Sequence, residues 1–294
     1  MTGSRLLCLG LLFVSVSMSM AQHPSTSPSD ITLSPGIVQA GSPELIRVKA
    51  PGATLVTGEW LGRRIQFFES SDRKSWFALA GVDVEAPAGY SKLKIRVYMG
   101  SGTADFDRDI EIQPGHYRTG NLTVQPKFVE PGPEELKEID ADKEIKERVF
   151  AKSASEPLWH GSFRVPVNSP PTDSFGTRRM FNGKLASIHK GMDFRAPQGT
   201  IVRASNSGVV VLARRLYFEG NCVVIDHGLG LYTLSMHFSR IDVHEGQRVA
   251  AGDRLGLSGA TGRVTGPHLH WAVRWENAYL DPAKLLKMNL NTIP

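Results

Sequence analysis

Short runs in which hydrophobic and polar residues alternate are the main pattern of this chain. In "LKIRVYM", Leu93, Ile95, Val97 and Met99 fall on one face of an extended segment, and the residues between them fall on the other. "LIRVKA" and "ADFDRDIEI" alternate in the same way, and stretches such as "APGA" and "APAGY" separate the runs. Several short strands within residues 31–118 predict an immunoglobulin-like β-sandwich.

One segment has a helical pattern instead. "GPEELKEIDADKEIKERVFAK" lies within residues 119–156 and carries an imperfect apolar stripe. Pro133 suits a first helical position, Glu134 and Glu135 suit the positive end of the helix dipole, and Arg148 suits the other end. We expect residues 119–156 to be a linker with a charged helix.

Residues 157–290 return to β patterning. "GVVVLARR", "CVVIDHG", "LYTLSMHF" and "HLHWAVRW" are apolar or alternating runs separated by Gly-rich turns. No tandem repeat is visible, which argues against a solenoid. The fold class expected for the whole chain is therefore mainly β.

The first residues differ from the rest. Arg5 precedes the apolar run "LLCLGLLFVSVSMSM", and Ser19 and Ala21 are small residues at the positions that a signal peptidase inspects. Residues 1–21 are expected to be a signal peptide and residues 22–30 a flexible tether, without membrane insertion after cleavage. Removal of Cys8 would leave Cys222 as the single cysteine, which excludes an internal disulfide and fits a small buried core residue.

The net charge of +5 is concentrated in the second half of the chain. Such a distribution fits either an anionic partner or an ordinary basic surface. The basic residues are scattered and form no stripe interleaved with aromatics, so we expect no nucleic-acid partner.

Six of the nine histidines lie at or after His189, and two of their spacings fit a metal site. His189 and Asp193 are four residues apart, while His268 and His270 are two apart, so in extended segments each pair shares one face. Two imidazoles and a carboxylate are ligands that Zn²⁺ accepts, with a fourth position left open as in catalytic sites. Spacing alone leaves ordinary histidines as an equal alternative.

Longer blocks carry a family resemblance. "HKGMDFRAPQGTIVRASNSGVVV", "VVIDHGLGLYTLSMHFSRI", "EGQRVAAGDRLGLSGATGRVTGPHLHW" and "YLDPAKLL" resemble, in order, the lysostaphin/LytM-type zinc metallopeptidases of bacterial cell walls. The resemblance implies an antiparallel β-sheet peptidase domain at residues 157–290. It also implies one Zn²⁺ per chain held by His189, Asp193 and His270, with His237 and His268 as catalytic residues. Ser235 departs from the tyrosine that is common in the family.

The resemblance implies a zinc endopeptidase that cuts peptide bonds in peptidoglycan, its main expected partner. A non-catalytic activator of another wall hydrolase is the alternative, although such relatives typically lose ligands that are present here. A biotinyl-type carrier barrel fits less well, because no lysine stands between methionines at a hairpin tip. A regulatory cell-envelope protein is a further candidate partner. The expected location is the periplasm, with outright secretion as the alternative, and the N-terminal region would either position the active-site groove or cover it.

Overall fold

The structure is a computed structural model that describes residues 30–100, 102–121, 125–128, 130–181 and 184–291. The expected signal peptide, and the expected tether except for its last residue, lie outside the described residues. No helix within the described ranges is long and apolar enough to cross a membrane.

The N-terminal region contains two four-stranded antiparallel sheets. β1, β2, β6 and β5 form one sheet, and β4, β3, β7 and β8 form the other, in the order β1-β2-β6-β5 and β4-β3-β7-β8. Their bounds are β1 (Ile31–Ser34), β2 (Pro43–Lys49), β3 (Ala53–Trp60), β4 (Arg63–Gln66), β5 (Phe68–Glu69), β6 (Ser75–Gly81), β7 (Gly89–Met99) and β8 (Gly102–Ile112).

The alternating pattern of β7 is confirmed by its burial. Leu93, Ile95 and Val97 are buried, whereas Lys94 and Arg96 are exposed. Both sheets bury one face in this way, as packed antiparallel sheets do. The immunoglobulin-like assignment itself stays a prediction.

The described part of the linker contains three elements of regular secondary structure. It holds β9 (Thr119–Asn121), a short 3₁₀ helix at Pro126–Phe128 and α1 (Pro133–Phe150), which begins one residue after Gly132 as the proline predicts. Asp142 of α1 is buried, and its Oδ2 accepts a hydrogen bond of 2.6 Å from the backbone N–H of Tyr217. The helix is thus attached to the sheet beside it through a polar contact and not only through its apolar stripe.

The C-terminal region is built on a large antiparallel sheet. Its main path runs β10-β13-β20-β17-β16-β15-β18, with β14, β19 and β21 added at the sides. A second sheet, β12-β11-β9, includes the linker strand, which pairs with β11 in parallel. The bounds are β10 (Pro171–Asp173), β11 (Arg178–Phe181), β12 (Lys184–Ile188), β13 (Met192–Phe194), β14 (Ile201–Arg203), β15 (Gly208–Leu216), β16 (Gly220–Asp226), β17 (Leu231–Ile241), β18 (Arg248–Val249), β19 (Arg254–Ser258), β20 (Leu269–Trp275), β21 (Ala278–Leu280) and α2 (Pro282–Leu285).

The two regions share one hydrophobic core. A Cβ on Gly81 of β6 would lie 2.5 Å from the Leu280 side chain, so the glycine allows close packing at this junction. Asp83 also accepts a 2.8 Å hydrogen bond from the backbone of Tyr279. The N-terminal sheets therefore pack directly against the C-terminal sheet. Cys222 is buried in that sheet, as the sequence predicted.

Candidate metal centre

Two neighbouring strands carry two of the three predicted ligands. Asp193 in β13 and His270 in β20 are direct partners in the antiparallel register. Residues opposite each other on one face of such a pair have side chains within contact distance. Both side chains are almost fully buried.

His189 reaches the same point by a different route from the predicted one. It lies just after β12, and a non-strand stretch separates it from β13, so His189 and Asp193 do not share one extended segment. The reason is that β12 pairs with β11, whereas β13 pairs with β20, and the chain passes between two sheets here. A glycine occupies this crossing, where a Cβ on Gly191 would lie 2.5 Å from His270 Nε2.

The three side chains converge tightly. His189 Nε2 lies 3.1 Å from Asp193 Oδ1 and 2.9 Å from His270 Nδ1, and His270 Nδ1 lies 2.8 Å from Asp193 Oδ1. These atoms form a compact N, N, O cluster. For comparison, Zn–N bonds of about 2.0–2.1 Å in a tetrahedron separate ligand atoms by about 3.3 Å.

The cluster holds too few hydrogen atoms for its three ligand atoms to hydrogen-bond one another. His189 Nδ1 lies 2.9 Å from the carbonyl oxygen of Ser174, which can only accept, so Nδ1 carries the proton and Nε2 presents a lone pair. Asp193 is also an acceptor when ionised. A neutral His270 supplies at most one proton to two acceptors. Converging lone pairs of this kind fit a cation, and the donor set is one that Zn²⁺ accepts.

The charge states within the cluster agree with this view. Burial by itself would raise the pKa of Asp193, but its close contacts with the rings of His189 and His270 hold that pKa well below its usual range. Burial lowers the pKa of His270 to about 4, so its imidazole is neutral at pH 7. An ionised carboxylate and neutral imidazoles are the forms in which these residues bind metal.

A second layer of polar contacts orients the cluster. Arg179 Nη2 donates to Asp193 Oδ2 at 3.0 Å and to Asp173 Oδ2 at 3.1 Å. Asp173 also lies 3.3 Å from His189 Nδ1 and is paired with Arg118. Such outer contacts fix the tautomer and the orientation of ligands.

His237 and His268 lie next to this cluster, with their ring centroids 4.9 Å apart. His237 Nδ1 donates to the Thr261 carbonyl and His268 Nδ1 to the Gly266 carbonyl, both at 2.8 Å. In the neutral tautomer that these bonds select, Nε2 of each ring carries a lone pair. His268 Nε2 lies 3.7 Å from Asp193 Oδ1.

The backbone at His237 is unusual, because its φ is +69° within β17. A left-handed residue inside a strand is strained, and such strain is common at functional sites. The register between β16 and β17 shifts over this part of the strand, as at a β-bulge. The distortion re-aims the ring towards His268 and His270.

The other histidines of this region lie in different surroundings. His227 is fully buried, with its ring nitrogens bonded to the Ser207 carbonyl and to Thr233 Oγ1. His244 is exposed. Ser235 is buried in β17.

A groove of about 560 Å³ leads to the cluster. One of its walls comes from Arg118, at the end of the 31–118 region, and from Thr119 and Gly120 at the start of the linker. No sequence pattern in the linker predicts this position. The parallel pairing of β9 with β11 brings these residues to the groove.

Asp173 and Arg179 are the polar residues that sequence reasoning missed. They lie in "TDSFGTRRM", a stretch of turn-forming residues without a strand or helix pattern. No spacing rule connects them with His189, because the contact depends on how β10 and β11 pair. The local sequence shows only two adjacent arginines a few residues after an aspartate, which by itself does not predict a contact with the metal ligands.

In a comparison with known protein families, residues 187–282 match the sequence profile of Peptidase family M23. Peptidoglycan DD-endopeptidase ShyA of Vibrio cholerae is 41% identical over 161 residues, which is 53% of this chain and 36% of that protein. DD-carboxypeptidase/endopeptidase Mpg of Neisseria meningitidis is 43% identical over 98 residues, which is 33% of this chain and 23% of that protein. The chain thus spans about a third or less of the length of these curated relatives.

A solved structure agrees over more of the chain. A crystal structure from Pseudomonas aeruginosa that is described as a peptidase M23 has a TM-score of 0.66 and 27% identity. The match covers 84% of this chain and 94% of that one, so it includes much of the N-terminal region. The mainly β fold with antiparallel sheets is therefore confirmed.

Proposed function

Since the chain carries a peptidase family M23 domain over residues 187–282, we propose that it is a zinc-dependent endopeptidase that hydrolyses peptide bonds in the cross-links or stem peptides of peptidoglycan. The two relatives compared above are named for such peptidase activities, and we extend that class of substrate to this chain. Action on the cell wall also agrees with export, and we propose the periplasm as the location.

The observation that carries the proposal is the convergence of His189, Asp193 and His270 beside two oriented histidines. The three ligand atoms face one point. The hydrogen bond of His189 to the Ser174 carbonyl leaves too few protons among them for each to be hydrogen-bonded. We propose these residues as the Zn²⁺ ligands. Because three protein atoms converge within the described residues, one tetrahedral position is left for water or substrate, which is the arrangement of catalytic zinc sites.

Zn²⁺ at this point would polarise the scissile carbonyl and lower the pKa of water. The chain's own residues supply the remaining steps. His237 and His268 lie beside the cluster and each hold Nδ1 in a backbone hydrogen bond, which leaves Nε2 of either ring to accept the proton that the nucleophile loses. The same ring then donates that proton to the leaving nitrogen. We assign this role to the pair, because both rings have equivalent backbone anchors.

The environment of His237 keeps its ring in the neutral form that a base requires. Burial lowers the pKa of His237 well below its usual value, and the nearby rings of His268 and His270 lower it further. Its imidazole is therefore neutral at pH 7 and ready to accept a proton. Proton transfer by a positioned side chain typically contributes about 10²–10⁴-fold to a rate.

The experiment is mass spectrometry of muropeptides released from purified sacculi. We expect the mature protein with Zn²⁺ to release peptide-cleaved products, and a chelator to abolish the release. His270→Ala should release none, while its thermal unfolding without metal stays close to that of the metal-free parent. Release that persists in His270→Ala, or in the presence of the chelator, would contradict the proposal.

The same assay addresses the alternative of a non-catalytic activator. In that case the protein would release nothing by itself but would accelerate a second wall hydrolase. All five predicted site residues are present: four of them line the groove, and His189 converges with Asp193 and His270, which favours catalysis over activation.

A further inference from the structure

Four arginines and two aspartates line the groove, and their pairing is uneven. Arg118 pairs with Asp173, and Arg179 pairs with both Asp173 and Asp193. Both aspartates are therefore already engaged. Of the two remaining arginines, Arg195 is exposed and can be solvated, whereas Arg263 is half-buried.

Arg263 is held in place without a carboxylate. Its backbone N–H donates to the Phe218 carbonyl at 2.9 Å, and its guanidinium carbon lies 4.5 Å from the centre of the Phe218 ring. Within the described residues no carboxylate is within ion-pair distance of it; the nearby Glu219 is paired with Lys146 at 2.7 Å. The stacked guanidinium thus keeps its donors for another partner.

The position of Arg263 connects it with the reacting groups. It lines the main groove and also an adjoining pocket of about 390 Å³, and both cavities are lined by His237 and His270. The loop that carries it is attached to the site, since the carbonyl of Thr261, two residues earlier, accepts from His237 Nδ1. A ligand bound at Arg263 would therefore lie beside the cluster.

The chemistry of a guanidinium defines the partner. Arginine stays charged at all working pH values, and its planar fork matches a carboxylate with two parallel hydrogen bonds. Stacking on an aromatic ring orients the fork before binding, so less freedom is lost on binding. A half-buried cation without a counter-ion is costly, and an anionic substrate group would relieve that cost.

We propose that Arg263 is a specificity-determining residue that binds a free carboxylate of the substrate next to the scissile amide. The inference rests on the proposed function. It specifies the substrate as a peptide whose leaving-group residue carries a free carboxylate on the carbon attached to the scissile nitrogen, as in a cross-link to a diamino diacid. The guanidinium binds this group and positions the amide over the cluster.

The test uses two synthetic cross-linked peptides that are identical except for this group, which is a carboxylate in one and a carboxamide in the other. The full mature protein loaded with Zn²⁺ should cleave the carboxylate peptide with a kcat/KM about 10–100-fold higher, as expected for a charged hydrogen-bonded pair. Arg263→Met should cleave both peptides equally, at about the rate of the parent protein on the carboxamide. Arg263→Lys should retain part of the preference.

Arg248→Met is the matched control, because Arg248 is exposed on β18 and lines neither cavity. It should keep the full preference. Equal zinc content in all variants would show that the metal site is intact. A parent protein with no preference, or an Arg263→Met variant that keeps it, would overturn the inference. Equal losses on both peptides in Arg263→Met would also overturn it, because they indicate a structural role.

Failure of the proposed function gives a different result. In that case the parent protein would cleave neither peptide, and calorimetric binding of the two uncleaved peptides would decide the inference. Tighter binding of the carboxylate peptide that disappears in Arg263→Met would support it. Equal binding of both peptides would refute it.

Discussion

Gly191→Ala tests the geometry of the site without removing any ligand. Gly191 lies between His189 and Asp193, and its backbone is outside the left-handed region, so the dihedral angles tolerate alanine. The new Cβ, however, would lie 2.5 Å from His270 Nε2, 2.7 Å from His270 Cε1 and 2.7 Å from the Trp271 carbonyl oxygen. The carbonyl belongs to the backbone of a central strand, so both the imidazole and the segment around residue 191 have to move.

The size of the movement follows from these contacts. Real Cβ atoms essentially never approach other heavy atoms more closely than 3.0 Å, and 3.4 Å is an ordinary contact. The ring of His270 must therefore shift by about 0.5–0.9 Å, whereas ligand distances in metal sites tolerate about 0.2 Å. We expect zinc affinity to fall about 10–100-fold, as for changes in the second shell of metal ligands, and activity to fall at least in parallel.

The assay is competition for Zn²⁺ between the protein and a chromogenic chelator, with muropeptide release measured on the same samples. Gly100→Ala is the control, because a Cβ there meets nothing within 4 Å and its φ is not left-handed. Thermal unfolding of the metal-free proteins shows whether Gly191→Ala is folded. A folded Gly191→Ala variant that binds Zn²⁺ as tightly as the parent would refute the proposed arrangement of His270.

Three further predictions concern other parts of the molecule. His237→Ala should keep its zinc, because His237 is not among the converging ligands, and should lose about 10²–10⁴-fold in kcat, as measured by muropeptide release. Burial raises the pKa of Glu44 from 4.5 to about 7, so the folded state binds this proton more tightly than the unfolded state, and stability is lost as pH rises from 4.5 to 7. Glu44→Gln should therefore raise the free energy of unfolding by up to about 3 kcal/mol at pH 8 and change it little at pH 4, in denaturant titrations. Asp142→Ala should lower the free energy of unfolding by about 1–3 kcal/mol, because the buried N–H of Tyr217 loses its acceptor; an unchanged midpoint would show that α1 is not attached there.

Much of the local structure follows from short-range patterns. The alternation in "LKIRVYM" predicts which face of β7 is buried, because side chains in a strand alternate with a period of two. Pro133 and the acidic residues after it predict where α1 begins. His189, Asp193 and His270 were identifiable as candidate ligands from residue type, spacing and family resemblance.

The relation between distant segments was decided by tertiary structure. His189 and His270 are 81 positions apart and meet because the chain crosses from β12 to β13 beside Gly191. The left-handed backbone of His237 and the ion pairs of Arg179 have no local sequence pattern. The linker wall of the groove likewise depends on a parallel pairing between β9 and β11.

The physical reason is the range of the interactions. Side-chain alternation, helix termini and ligand chemistry act within a few residues, so they can be read along the chain. Strand register and the stacking of Arg263 on Phe218 depend on which distant strands become neighbours. Sequence alone thus determined the types of residue available for chemistry, and only the packing of the sheets decided which of them face the same groove and which remain unpaired.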